Sequence, residues 1–187
     1  MSEIFGRLGG PRDAEAADSR ETAGPLPVGP EAGRWLRRHV AGGVAALTTL
    51  VDGSYRASTI TGYMVASVEP LQMLISVEQD SQMEQWVRES GFYALSVMTY
   101  QQQFFADQFA GMAPLAATRF QGIDHHVEVT GAPVLDGSIG WADCRVEAEI
   151  TMGDHTCFLG RVVAIGMGAA FAEDPLIYFS GRYSRAR

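Results

Sequence analysis

The sequence predicts a mainly β fold, an antiparallel barrel with peripheral helices. Runs of β-branched and apolar residues recur along most of the chain, separated by turn signals. The 21 glycines are scattered rather than periodic, which suits many short strands and turns. Helical patterns are few, too few to cover both faces of a parallel sheet. With 47% hydrophobic and 19% charged residues in 187, the chain can bury a sizeable core in one domain.

Residues 1–28 are rich in Gly, Pro, Ala and acids and lack an apolar period, so a disordered or loosely docked tail is expected ahead of a domain over 29–187. Pro30 opens a short helix over 31–39, with Trp35 as its large apolar contact. A strand follows over 44–51, then the hairpin signal Asp52-Gly53 and a Thr-rich returning strand over 55–63. Another strand spans 72–77. Asp80 is the expected N-cap of a helix over 81–89, whose Met83, Trp86 and Val87 share a face and which Ser90-Gly91 ends. A strand over 92–98 leads to a helix over 101–110, where Phe104, Phe105 and Phe109 read first as a core stripe. Beyond a loop containing Pro114, two long strands, 138–152 and 155–165, flank the Gly153-Asp154 turn, and a short strand spans 176–179.

The net charge of −8 argues against a nucleic-acid partner, because phosphate contacts need a basic stripe. An anionic ligand would have to be held by local donors against the overall field. All 14 basic residues are arginine, which excludes Schiff-base chemistry on a lysine. No run approaches the roughly 18 apolar residues of a membrane helix. Residues 1–7 lack a secretory pattern, so a cytoplasmic location is expected. The two cysteines fit neither a disulfide framework nor a zinc site, and Cys144, in an alternating run, reads as a small core residue.

Side-chain catalysis is not advertised. A strand followed by Gly-x-Gly-x-x-Gly is missing, as are a Walker loop, a Gly-x-Ser-x-Gly elbow and a His-Glu-x-x-His pair. His125 and His126 are adjacent, and on a strand they would face opposite sides, so no metal is expected. The chain therefore carries either a bound cofactor or no reaction.

Several segments, in order over residues 42–183, resemble one known family. Arg37-Arg38 precedes Gly43-Val44, and Thr59-Ile60-Thr61-Gly62-Tyr63 opens a stretch running to Glu69-Pro70-Leu71. A loop over 76–81 and Ser90-Gly91-Phe92 follow, then Phe109-Ala110 and Arg119-Phe120. Gly131-Ala132-Pro133-Val134-Leu135-Asp136-Gly137, Gly153-Asp154-His155, and Pro175-Leu176-Ile177-Tyr178 leading to Gly181-Arg182-Tyr183 complete the set. Together they resemble the flavin reductase-like, FMN-binding split-barrel family. The resemblance implies an antiparallel split β-barrel of Greek-key type that binds FMN, with FAD as the alternative. It also implies NADH or NADPH as hydride donor, a homodimer, and a separate monooxygenase that receives the reduced flavin. A flavoprotein holding FMN as a prosthetic group for a specific substrate, or a non-catalytic partner-binding subunit, are the alternatives. Gly62 and Val65 stand where the family has serines, Leu71 replaces a proline, and Met83 stands where a threonine is common.

By this resemblance, Thr59, Ile60, Thr61, Gly62 and Tyr63 would lie along the flavin ring, with Gly62 allowing close backbone approach. The same residues also read as an ordinary Thr-rich strand with a bulge. Ser81 and Gln82, at a helix start, would meet the phosphate, or Ser81 would simply cap the helix. His155 would contact the nicotinamide, or bond Asp154 as a turn histidine. Tyr178, Arg182 and Tyr183 would reach the cofactor from the last loop, Phe109 would form a wall, and Arg119 would balance charge.

Overall fold

The computed structural model describes residues 24–186 apart from 26, 113–119 and 121. Most of the expected tail, the Pro114 loop and Arg119 lie outside the described residues. Strand β1 (Gly42–Gly43) follows helix α1 (Pro30–His39), then β2 (Ala45–Val51), β3 (Ser54–Ile60), β4 (Tyr63–Val68) and β5 (Leu71–Glu78). Next come α2 (Gln82–Ser90), β6 (Phe92–Val97), a 3-10 turn (Tyr100–Gln102) and α3 (Gln103–Phe109). The short strands β7 (His125–Val127) and β8 (Pro133–Leu135) precede the long pair β9 (Gly140–Met152) and β10 (His155–Met167). Strands β11 (Leu176–Phe179) and β12 (Arg182–Arg185) complete the described fold. No described helix is long and apolar enough to cross a membrane.

The main sheet has the order β3-β2-β6-β9-β10-β5-β4, antiparallel throughout. Its two edge strands, β3 and β4, are consecutive in the chain and joined only by Thr61 and Gly62. Three peptide steps reach at most about 11 Å, so the sheet must curl until its edges meet. The expected continuous strand over 55–63 is thus two strands, because the chain leaves one edge and joins the other there. The Gly62 carbonyl accepts from Ser76 N at 2.7 Å and carries the β4–β5 ladder up to the crossing. A Cβ on Gly62 would stand 2.9 Å from the Ser76 carbonyl oxygen and 3.4 Å from its Cβ. Neither atom is the end of a flexible side chain. Gly62→Ala is expected to cost about 1–3 kcal/mol, read as a lower urea midpoint at unchanged m-value; an unaltered midpoint would mean the crossing can relax.

The barrel is filled by Leu47, Met73, Ile75, Tyr93, Leu95 and Phe158, and α2 contributes Met83 and Val87 to the same core. The outer face of β2 is buried as well: Ala46, with Val44 just before the strand, packs with Ala106 and Phe109 of α3 and with Leu176. That double burial explains why 44–51 reads as a near-continuous apolar run. Asp52 and Gly53 both take positive φ, 50° and 68°, the backbone a two-residue hairpin turn requires. Cys144 is fully buried, and burial pushes its thiol up to about 12, so it serves as an inert core residue.

Ser81, not Asp80, caps α2. Asp80 adopts φ 61°, whereas an N-cap needs the extended backbone that Ser81 has, and the Ser81 hydroxyl accepts from Glu84 N. Strand β4 went unread because its apolar Met64, Val65 and Val68 are exposed, which destroys the alternation. The very short β7 and β8 and the charged β12 also lack a readable pattern.

Candidate active site

An open groove of about 800 Å³ lies where the barrel edges cross. Its floor is Ser58, Thr59 and Ile60 at the end of β3, the Thr61–Gly62 crossing, and Ser76 to Glu78 of β5. Ser81, Gln82, Met83 and Trp86 of α2 form one wall, and Phe109 and Ala110 close the end of α3 against it. Helix α1 supplies Leu36 and Arg37, and its C-cap Val40 lines the groove beside them. No residue of α1 is buried; it is tied down by Ser180 N donating to the Arg38 carbonyl and by the His39 ring, edge-on to Phe179.

The α2 wall ends in donors. First-turn amides have no intrahelical acceptor, so those of Gln82 and Met83, both groove-lining residues, are free of helix bonds, and the positive end of the helix dipole adds to them. Glu84 steadies this turn from beneath. Its carboxylate, buried, accepts from Thr156 Oγ1 at 2.5 Å, Arg88 Nη2 at 2.8 Å and Asp80 N at 2.9 Å. The hydrogen bond from Thr156, followed by that from Arg88, holds its carboxyl below the ordinary range against the opposing effect of burial.

His155 opens β10 directly after the Gly153-Asp154 turn and pairs across to Glu78 and Met152. Its ring lines both the groove and an adjoining recess of about 340 Å³, where Arg34, Arg37, Glu78 and Asp154 converge. Nδ1 lies 2.8 Å from Asp154 Oδ1. An ionised carboxylate can only accept, so this bond makes Nδ1 the donor and leaves the Nε2 lone pair for a ligand. The same bond holds the Asp154 carboxyl below its usual range. The turn bond and the groove position are therefore compatible, and His155 has both.

Of the residues singled out in the sequence, Thr59, Ile60, Thr61, Gly62, Ser81, Gln82, Phe109 and His155 meet at the groove. Thr59 donates its hydroxyl proton to the Ala106 carbonyl at 2.7 Å, which fixes α3 to β3 and leaves only its lone pairs for a ligand. Gly62 makes its close approach to Ser76 of β5, which gives the glycine a structural reason. Phe109 is core and wall at once, Phe105 packs against the core, and Phe104 is exposed. Tyr63 packs on the barrel core, and burial raises its phenol. Tyr178 and Tyr183 meet edge to face and pack on the second core cluster, and Arg182 is exposed on β12. None of these four lines the groove: Tyr63, on β4, packs on the barrel core, and β11 and β12 form a separate sheet with β1. Among the described residues no group of three acids, histidines or cysteines could hold a metal ion. His125 meets Tyr55 and Phe120 edge to face, while His126 bonds Asp136.

Sequence reasoning missed Leu36, Val40, Ser58, Ser76, Glu78 and Trp86 as lining residues. Trp86 carried a signal, a large aromatic on the same helix as Ser81. The others needed the fold. The groove's donors and apolar walls suit a flat ring system ending in a phosphate: backbone at the crossing, Trp86 and Leu36 beside it, free amides at one end.

The chain belongs to the family of the flavin reductase like domain, whose model matches residues 36–187. A curated NADH-dependent flavin reductase of Rhodococcus sp is 30% identical, over 87% of this chain and 91% of its own length. The reductase subunit HsaB of a flavin-dependent monooxygenase from Rhodococcus jostii (strain RHA1) is 28% identical, over 98% of this chain and 85% of its own. Among solved structures, the NADH:FAD oxidoreductase SgcE6 of Streptomyces globisporus C-1027 superposes with a TM-score of 0.77 at 27% identity. The match covers 88% of this chain and 99% of that one.

Proposed function

We propose that this protein is an NADH-dependent flavin reductase that passes reduced flavin to a separate monooxygenase component. The observation that carries the reading is one groove with free helix amides at one end and an oriented imidazole at the other. Bound there, the flavin supplies a two-electron acceptor for the hydride of the nicotinamide, and a proton from solvent completes its reduction. The chain's own contribution is positioning.

Gln82 and Met83 amides, with the Ser81 hydroxyl, would hold the flavin's phosphate. The Thr61–Gly62 backbone would meet the polar edge of the ring, and Trp86 and Leu36 would exclude water from it. His155 presents Nε2 to the amide N–H of the nicotinamide carboxamide, with Asp154 keeping its ring in place. Arg34 and Arg37 make the adjoining recess less negative in an acidic protein, where the donor's phosphates pass. Exposed Met64, Val65 and Val68 on the edge strand β4 support a homodimer, which light scattering tests.

The test is anaerobic addition of NADH to the purified protein in the presence of FMN or FAD. Rapid bleaching of the flavin's visible absorbance, with flavin freely exchanging, is the expected result. Flavin that co-purifies and stays oxidised would instead mean a prosthetic group serving another substrate. Absence of any flavin binding would leave a partner-binding module.

A further inference from the structure

Arg56 is not accounted for by the groove as described. It lies on β3, two residues before Ser58 and four before Ile60, on the strand face that these two turn to the groove and the barrel core. Its guanidinium stands over the Trp86 ring, 4.9 Å from the ring centre, and Trp86 is itself a groove wall. Arg88, Arg161 and Arg185 each pair with an acid, whereas Arg56 has no ion-pair partner among the described residues. Its Nε is buried without any hydrogen-bond acceptor. A buried N–H without an acceptor is rare in a folded protein and marks a place where an acceptor is missing. Arginine levelled on an aromatic face keeps its fork of donors pre-organised for phosphate oxygens.

Location selects the ligand. Trp86 follows Met83 and Gln82 by three and four positions, so it lies on the same side of α2 about one turn, ~5.4 Å, along the axis from their amides, and it carries the Arg56 guanidinium over its ring. Those amides and Ser81 already serve one phosphate. Along β3, Arg56 lies roughly 13 Å back from Ile60, away from the crossing where the ring system lies. A second phosphate, attached to the first and directed away from the ring, would meet Arg56.

We propose that Arg56, held over the Trp86 ring, seats the adenylate-side phosphate of FAD, so that the groove selects the dinucleotide over FMN. This deepens the reading of the groove as a flavin site and rests on it. Trp86 then has two roles, a wall for the ring side and a platform for the anion-binding arm.

Fluorescence titration of wild type, Arg56→Met and Arg56→Lys with riboflavin, FMN and FAD tests it, and thermal melts establish that each variant is folded. Wild type is expected to bind FAD more tightly than FMN. Arg56→Met is expected to weaken FAD by about 10- to 100-fold, the size of a charge-assisted phosphate contact, and FMN and riboflavin by no more than about 2-fold. Arg56→Lys, with a point charge in place of the fork, should fall between them. Equal losses for FMN and FAD would assign Arg56 to the first phosphate and overturn the proposal. A raised NADH KM with unchanged flavin affinities would assign it to the donor's diphosphate and do the same. Unchanged FAD affinity in a folded variant would end it outright. Failure of wild type to bind riboflavin, FMN or FAD would instead remove the flavin reading itself.

Discussion

Glu84→Ala is expected to lower the unfolding free energy by about 3 kcal/mol, or roughly 6–12 °C in Tm for a domain of this size. Three donors lose their acceptor together: Thr156 Oγ1, which is buried, the Asp80 amide, and one arm of Arg88. Arg88 keeps Glu149 at 2.5 Å and is half exposed, so the loss is smaller than for a wholly orphaned charge. Glu84→Gln keeps the shape and an acceptor and should lose about half as much. The pH dependence follows from the lowered carboxyl. Its folded value lies below the ordinary 4.5, so the contribution is complete above 4.5 and is lost as pH falls through the folded value. Wild type should therefore destabilise more steeply in acid than Glu84→Gln. Urea unfolding across that range decides it, and parallel slopes would remove Glu84 from the account. Because Glu84 also braces the turn that carries Ser81, Gln82 and Met83, Glu84→Ala should weaken flavin binding without touching the flavin.

His155→Ala is expected to reduce kcat/KM for NADH by about 100-fold, the cost of misplacing a hydride donor by about 1 Å. Flavin affinity should change by less than about 2-fold, since the groove's ring and phosphate contacts come from other residues. Asp154→Ala should act in the same direction but less, because it frees the imidazole to rotate without removing it. Steady-state kinetics at several NADH concentrations, set beside a flavin titration of the same variants, separates the two ligands. A parallel loss of flavin affinity would assign His155 to the flavin instead. Equal rates for wild type and His155→Ala would return it to the turn histidine whose only role is to bond Asp154.

Much of the local architecture was legible. Asp52-Gly53 and Gly153-Asp154 mark hairpins because few backbones other than a tight turn suit those residues. The face shared by Met83, Trp86 and Val87 revealed α2, and two of the three are buried there. The groove was half legible: the family resemblance pointed to Thr59 to Gly62, Ser81, Gln82 and His155, and all of these line it. Asp80 misled because Asp and Ser both cap helices by composition, and only the backbone angle of residue 80 distinguishes them.

By itself, the sequence determined the strand-rich, antiparallel character of this protein, its hairpins, and the two segments that carry the free amides and the imidazole. All of these depend on residues within a few positions of each other, where turn chemistry and side-chain periodicity act directly. The tertiary structure alone decided that β6 lies between β2 and β9, that two residues close the barrel, and that α1 roofs the groove. It also placed Arg56 on Trp86, Thr156 on Glu84, and the Tyr178–Tyr183 strand pair away from the groove. Periodicity states which side of a strand is buried but not against what, and the pairing of distant strands is chosen by how all the buried faces fit at once.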